Sequence, residues 1–359
     1  MKTIHLIYPH GSRISTPDAI GRHLGQRLEE QYRVIYHDLE SLEAIQPGPK
    51  DILVGHAMPS PFTCFRRSLK KPGWRRVILI TPYSHGDPQY NAYLDPLINK
   101  CDLYLAITGN YWFHSIQDSV FSHWLPKMVH LDLAVDRNEF PALKKNFNPP
   151  GKRAFVYIGV YKPYKNLGYL SQIAGQLPET QIDWIGSGRS FPHLKPRGAH
   201  DFSTPEAKEM IQHYDFSITL GNSDPNPTTI LETMSWGLIP VCTVQSGYTG
   251  YPGIFNLALD DVESAVRDLH HLQEIPERQL LEIQRDNWKI LDDHFNWDRF
   301  TNQVIDAIES DISPPIASIS ARRRWAIRWA EISSIYAVWR RPRHLSRVLY
   351  YFTRQFLAG

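Results

Sequence analysis

Two carboxylates, Asp224 and Glu232, lie eight residues apart in the segment 220–243, LGNSDPNPTTILETMSWGLIPVCT. Its turn residues and apolar spacing predict a strand end, a polar loop, a helix over 228–236 and a second strand over 239–244. Carboxylates accept hydrogen bonds from paired hydroxyls, and a helix start offers backbone N–H groups to an anion. The segment therefore favours a ligand that carries both hydroxyls and phosphates.

A purely structural interpretation of these residues is equally compatible with their spacing. Thr229 and Glu232 are spaced as in a capping box, in which two side chains close a helix start. Asp224 precedes Pro225, an arrangement typical of an Asp that closes a turn. Spacing alone leaves both interpretations open.

The segment resembles the donor-site signature of glycosyltransferase family 4, an acidic residue and a Glu separated by seven residues and followed by a helix, a Gly and a buried strand. Asp224, Glu232 and Gly237 take these positions, with Asp where the family usually has Glu. The resemblance implies a retaining transferase that uses a nucleoside diphosphate sugar as substrate and needs no cofactor or bound metal. It also implies the α/β GT-B fold, with two Rossmann-like domains facing across a cleft.

The resemblance further implies a role for each residue that matches the family pattern. Glu232 would hold the ribose hydroxyls, Asp224 the sugar and Lys165 the departing diphosphate. Gly159 and Lys165 fit the pattern Gly-Arg-x-x-x-x-Lys, but Val160 occupies the Arg position, so Lys162 is expected to supply the second charge. The other predicted donor contacts are Asn226, Pro227, Thr228, Thr229 and Gly188.

A histidine completes the predicted catalytic set of Asp224, Lys165 and His85. His85 follows the predicted strand 77–81 and lies between Ser84 and Gly86. In the resembled family a His on this loop faces the donor, although counting from the strand puts Tyr83 in that position. The residue that faces the donor is therefore His85 in our prediction, with Tyr83 as the alternative.

Buried-strand patterns alternate with helical patterns along the chain, which indicates doubly wound α/β domains. The 359 residues, 42% of them hydrophobic, suffice for two medium-sized domains. We predict an N-terminal acceptor domain over 1–140, a Pro-rich linker over 141–152 and a donor-binding domain over 153–295. A crossing helix and connector over 296–319 and a basic amphipathic tail over 320–359 would follow.

Three cysteines without a CxxC pair fit a reducing compartment, and no apolar run reaches the roughly 18 residues of a membrane span. The N-terminal apolar run is too short for a signal peptide. We expect a cytoplasmic protein that lies peripherally on the cytosolic face of a membrane.

Two basic segments predict contact with anionic lipid. Segment 62–76 interleaves cations with aromatic residues, and 320–359 holds nine arginines against one acid, Glu331. Such segments are typical of amphipathic helices in a membrane interface, which fits the tail better than the alternative that its apolar side chains pack on the protein body. The predicted membrane-binding residues are Arg66, Arg67, Lys70, Lys71, Trp74, Arg75, Arg76, Trp325, Trp329 and Trp339. Nucleic acid is not expected as a partner, because no basic domain adjoins the tail.

These features together predict a retaining, metal-independent, hexosyltransferase-like glycosyltransferase. The membrane contacts favour a lipid-linked or glycan acceptor, as in glycolipid or cell-surface polysaccharide synthesis. The alternative is a non-catalytic GT-B protein that binds a partner. Val160 and the shortened acid at Asp224 support that alternative, whereas Lys165 and Glu232 count against it.

Overall fold

The computed structural model describes residues 1–11, 15–59 and 63–333. Trp339 and the rest of the predicted tail from 334 to 359 lie outside these residues. The described helices are α1 (Thr16–Glu29), α2 (Cys64–Ser68), α3 (Pro88–Ile98), α4 (Gly109–Ser115), α5 (Leu167–Gly175), α6 (Pro205–Ile211), α7 (Thr228–Trp236), α8 (Val262–Glu274), α9 (Glu277–His294), α10 (Trp297–Glu309) and α11 (Ala321–Ser333). None of them is long and apolar enough to cross a bilayer.

The described chain forms two compact units, each built on a parallel six-stranded sheet. The first comprises Met1–Ile107, Phe113–Leu131 and the chain from Asp298 onward. Its strands follow the order β2-β1-β3-β4-β5-β6. They are β1 (Thr3–Ile7), β2 (Arg33–Tyr36), β3 (Ile52–Gly55), β4 (Arg76–Pro82), β5 (Leu103–Ile107) and β6 (Met128–Leu131).

The second unit comprises Thr108–Trp112 and Asp132–Trp297. Its strands are β7 (Phe155–Ile158), β8 (Ile182–Ile185), β9 (Lys195–Gly198), β10 (Phe216–Thr219), β11 (Ile239–Thr243) and β12 (Phe255–Leu257). Their order is β12-β11-β10-β7-β8-β9, the doubly wound Rossmann arrangement. The strand order reverses between β7 and β10, and ligands of such sheets bind beyond the carboxyl ends of the strands at that reversal. The predicted α/β class with two Rossmann-like domains is confirmed.

The core of the second unit is apolar on the face of the sheet that α5 and α8 cover. Phe155 and Phe216, paired across β7 and β10, stack with ring centroids 4.8 Å apart. Leu170 of α5 and Leu269 of α8 belong to the same buried cluster. This packing fixes the strand ends from which the candidate site is built.

The segment 141–152, predicted as a linker, packs into the second unit. Lys144 and Asp215 form a buried ion pair at 3.1 Å, and Phe147 belongs to the hydrophobic core. The Pro-rich composition that indicated a linker therefore belongs to a segment with buried anchors. The remaining domain boundaries stay predictions.

Candidate active site

Two loops meet at the reversal point of the second sheet, one after β7 (159–166) and one after β10 (220–227). The backbone N–H of Asn222 donates to the Tyr164 carbonyl at 3.0 Å, which ties the loops together. A Cβ added at Gly221 would lie 2.9 Å from Asp224 Cβ and 3.3 Å from the Tyr164 carbonyl oxygen. Only glycine therefore permits this approach of the two loops.

The predicted catalytic residues Lys165 and Asp224 form an ion pair across these loops. The Lys165 side chain is 19% exposed and that of Asp224 12%, so the pair is accessible from solvent at its edge. An anion that approaches Lys165 must compete with the Asp224 carboxylate. The structure thus brings together two side chains that are 59 residues apart in sequence.

Helix α7 begins at Thr228 without a side-chain cap. Its N-cap residue is Pro227, whose side chain offers no acceptor, so the capping-box interpretation of Thr229 and Glu232 is wrong. Thr229 lies inside the first turn, where helix N–H groups and the helix dipole favour an anion. The start of α7 follows directly on the loop that carries Asp224.

Glu232 lies in the second turn of α7 and is partly buried. Burial raises the pKa of its carboxyl from 4.5 to about 7. A hydrogen bond with the Thr228 side chain and the charge of Lys165 oppose this rise, whereas the charge of Glu139 adds to it. The influence of Lys165 places Glu232 within electrostatic range of the ion pair. Near neutral pH this side chain is poised between its neutral and charged forms.

Asn226, predicted to contact the donor, instead holds the loop together. Its backbone N–H donates to the Ser246 carbonyl at 3.0 Å, and its side-chain oxygen accepts from the N–H of Leu133 at 2.7 Å and the hydroxyl of Tyr248 at 3.2 Å. The residue is 1% exposed and adopts a left-handed conformation with φ of 55°. Because Pro227 has no N–H, the predicted backbone contacts reduce to those of Thr228 and Thr229.

The glycines after β7 and β8 allow close backbone packing. Gly159 donates to the Ile185 carbonyl at 2.9 Å and accepts from the Trp184 indole at 2.8 Å. A Cβ on Gly188 would lie 2.4 Å from Tyr161 Cβ. Val160 is 55% exposed, and Lys162 is also exposed.

Sequence reasoning missed two residues beside these loops. Arg189 follows Gly188, and its guanidinium carbon lies 4.9 Å from the Tyr161 ring centroid and 4.8 Å from that of Phe191. Tyr157 has a buried hydroxyl with no hydrogen-bond partner among the described residues. Burial, with Asp224 as a smaller cause, raises the pKa of this hydroxyl. The Gly186-x-Gly188 turn after a strand was the sequence feature that could have pointed to Arg189 as a site residue. Nothing in the sequence indicated Tyr157.

His85 lies in the first unit, after β4. It is partly buried, and burial lowers its pKa, with Asp118 opposing the shift. Its ring meets that of Tyr83 edge-on, with centroids 5.5 Å apart. Tyr83 is only 1% exposed, so His85 is the more accessible residue of the two.

The basic segment 62–76 is not the surface helix that its composition predicts. Helix α2 spans only Cys64–Ser68, and the chain then turns through Gly73 into β4. Arg76 is buried and donates to the carbonyls of Ala307 at 3.0 Å and Ile312 at 2.6 Å, so it is unavailable to a membrane.

The other cations of segment 62–76 differ in what they contact. Arg66 pairs with Glu331 at 3.2 Å, Arg67 donates to the Leu42 carbonyl, and Arg75 lies 3.9 Å from Glu309. The Trp74 indole donates to the Ser68 carbonyl at 2.9 Å. Lys70 is exposed and Lys71 partly buried. Protein contacts rather than one amphipathic face thus account for most of these side chains.

Helix α11 turns its aromatic face outward. Trp325 and Trp329 are 67% and 57% exposed and stack in parallel with centroids 5.7 Å apart, and Ile332 is 42% exposed. The opposite face is anchored, since Ile327 is buried and Arg323 donates to the Ser119 and Val120 carbonyls. For the described part of the tail, the aromatic stripe therefore does not pack on the protein body.

No family model and no curated protein matches the sequence. Solved structures do share its fold. Sucrose-phosphate synthase from Thermosynechococcus elongatus has 11% identity and a TM-score of 0.63, over 85% of this chain and 98% of its own. HepE of Anabaena, in complex with UDP and glucose, has 11% identity and a TM-score of 0.58, over 86% and 99%. These similarities confirm the GT-B fold.

An alpha-glucosyltransferase in complex with UDP and DNA is also similar. Its identity is 12% and its TM-score 0.59, over 86% of this chain and 99% of its own. The expectation that excluded nucleic acid as a partner is therefore wrong. It considered only the charge of the tail, whereas here a protein of the same fold is bound to DNA.

Proposed function

We propose that the chain is a retaining glycosyltransferase that moves a sugar from a nucleoside diphosphate sugar to an acceptor. The observation that carries the proposal is the Lys165–Asp224 ion pair beside the uncapped start of α7, at the reversal point of the second sheet. A cation and a helix start suit the diphosphate, and Asp224 and Glu232 suit the hydroxyls of the sugar and ribose. This site lies within one unit.

Donor binding would exchange the partners of the ion pair. The diphosphate takes Lys165 from Asp224, and the released Asp224 carboxylate accepts a hydrogen bond from a sugar hydroxyl. The protein cations and the dipole of α7 then neutralise the leaving group in place of a metal ion. Chelation of divalent metals should accordingly leave the transfer rate unchanged.

The transfer itself would proceed on one face of the sugar. The bond between the anomeric carbon and the phosphate oxygen breaks, and a bond from the acceptor oxygen to the same carbon forms. The acceptor proton passes to an oxygen of the leaving diphosphate. The leaving group thus acts as base, and the anomeric configuration is retained.

The outward face of α11 supports a lipid-linked acceptor and a peripheral position on the cytosolic face of a membrane. Stacked Trp325 and Trp329 with adjacent Arg322 and Arg328 suit an anionic headgroup layer. DNA is the second candidate acceptor, because an alpha-glucosyltransferase of the same fold is solved with DNA. Both acceptors belong in the first activity assay.

The donor is tested by thermal unfolding with UDP-, GDP-, dTDP- and ADP-sugars, on the wild type and on Glu232→Ala. A ligand at 100 times its Kd should stabilise the protein by about 2.7 kcal/mol. We expect one nucleotide to raise Tm in the wild type and to bind at least about tenfold more weakly to the variant. If no nucleotide sugar binds, the non-catalytic alternative replaces this proposal.

The membrane contact is tested by co-sedimentation with vesicles containing phosphatidylserine. Replacing Trp325 and Trp329 together by Ala should release the protein into the supernatant, whereas Ile312→Ala should not. Ile312 is a matched control, because it is equally exposed at 67% but lies outside α11. Equal sedimentation of all three proteins would remove membrane contact through α11 from the proposal.

A further inference from the structure

The candidate diphosphate site is short of positive charge. A nucleoside diphosphate carries at least two negative charges near neutral pH, whereas Lys165 supplies one positive charge and shares it with Asp224. Val160, in the position where the resembled family has an Arg, presents an exposed apolar side chain. If this site binds a diphosphate, a second cation is needed, and both Lys162 on the same loop and cations elsewhere in the second unit are candidates.

The loop after β8 is built against the loop that carries Lys165. A Cβ on Gly186 would lie 2.0 Å from the Gly159 carbonyl oxygen, so the two backbones are in direct contact. The N–H of Tyr161 donates to the Ser187 carbonyl at 2.9 Å. Arg189 follows Ser187 by two residues and is thereby placed beside Tyr161. Tyr161 in turn precedes Lys165 by four residues.

The exposed Arg189 side chain lies against two aromatic rings and is not paired with an acid among the described residues. It lies beside the rings of Tyr161 and Phe191, at 4.9 and 4.8 Å from their centroids, while none of the ion pairs among the described residues includes it. Aromatic rings attract a guanidinium through its face and leave its N–H edge available. No aromatic ring of the described residues lies against the Lys162 ammonium, which is also flexible, so Arg189 is the better prepared cation.

We infer that Arg189 supplies the second cation of the donor diphosphate site, in place of the residue at Val160. The inference rests on the proposed function. The planar guanidinium of an Arg can contact two phosphate oxygens at once, which the ammonium of a Lys cannot do in the same geometry. Arg189 would thus determine how well the site distinguishes a diphosphate from a monophosphate.

The test measures Kd by calorimetry for UDP, GDP, dTDP and ADP and for the corresponding monophosphates. The proteins are the wild type, Arg189→Gln, Arg189→Lys and the control Lys195→Gln. Lys195 is exposed on the same unit, but it is the first residue of β9. It therefore lies at the amino end of its strand, whereas the site lies at the carboxyl ends. We expect Arg189→Gln to raise the Kd of the diphosphate about 10- to 100-fold and that of the corresponding monophosphate much less. The Kd of Arg189→Lys should be intermediate.

A second variant tests the same charge at the other position. Adding Val160→Arg to Arg189→Gln should restore at least about tenfold of the lost diphosphate affinity. If the wild type binds a diphosphate and Arg189→Gln binds it equally well, the inference fails but the proposed function stands. The same holds if Arg189→Gln loses as much affinity for the monophosphate as for the diphosphate. A wild type that binds none of the diphosphates would overturn the proposed function, and the inference with it.

Discussion

Replacing Glu232 by Gln should stabilise the unliganded protein, increasingly so as the pH rises. The pKa of Glu232 is raised from 4.5 to about 7, chiefly by burial. Between these pH values the folded protein holds a proton that the unfolded chain has released. The wild type therefore loses stability as the pH rises through this window, and the loss is complete above about pH 7. A Gln side chain carries no charge and escapes this loss.

The size of the effect follows from the shift. Raising a pKa from 4.5 to about 7 corresponds to roughly 3 kcal/mol at a pH above both values. Because Glu232 is partly exposed, solvent screens some of this, and we expect about 1 to 2 kcal/mol. In a domain of 150–250 residues that amounts to a rise in Tm of roughly 2–8 °C.

The assay is thermal unfolding at pH 5, 6, 7 and 8 for the wild type, Glu232→Gln and Glu263→Gln. Glu263 is an exposed acid in the first turn of α8, and its variant should follow the wild type at every pH. The same proteins are titrated with the donor that the panel identifies. If the ionised carboxyl binds ribose, the wild-type Kd should be about tenfold weaker at pH 6 than at pH 8.

Donor binding by Glu232→Gln should be weak at both pH values. Its Tm should rise above that of the wild type at pH 8 and differ little at pH 5. Parallel Tm curves for the two proteins would mean that the Glu232 pKa is not raised, and the reasoning from burial would fail.

Three further substitutions test the loops of the site. Asp224→Asn should lower the Kd for UDP about three- to tenfold, because the Asp224 carboxylate no longer competes for Lys165; calorimetry measures this. The same change should lower the rate of sugar transfer, which a transfer assay measures. Asn226→Ala should destabilise the protein by about 2–4 kcal/mol in urea unfolding, because it leaves the N–H of Leu133 unpaired and strains a left-handed residue. Tyr157→Phe should leave Tm unchanged or raise it slightly, since the lost hydroxyl has no partner in the described chain.

Regular elements with an apolar pattern were predictable from the sequence. Helix α7 has the predicted bounds, 228–236, and β4 and β11 match the predicted strands at 77–81 and 239–244 to within one residue at each end. Strand β9 was missed because all four of its residues, Lys195–Gly198, are exposed at the edge of the sheet. An edge strand that buries no side chain leaves no hydrophobic signal.

Polar and charged side chains were the least predictable part of the chain. Arg76 reads as the last member of a surface cluster, yet it is buried against backbone carbonyls more than 200 residues away. Asn226 reads as a ligand contact, yet its partners fix the loop. Both depend on long-range partners that local spacing does not reveal. The exposed stripe of α11, by contrast, was visible in its helical spacing.

The departures from the family pattern form one consistent arrangement rather than a decayed site. An Asp at 224 has a short side chain, and Gly221 allows the loop to fold tightly enough for that side chain to reach Lys165. With Val at 160, Lys165 is the residue of that loop that pairs with Asp224, while Arg189 lies on the neighbouring loop and is in none of the ion pairs among the described residues. A chain freed from donor binding has no reason to keep an ion pair, a helix start without a side-chain cap and a partly buried carboxyl together, with an exposed guanidinium on the adjoining loop. This combination favours catalysis over the non-catalytic alternative, and the nucleotide panel with Arg189→Gln decides between them.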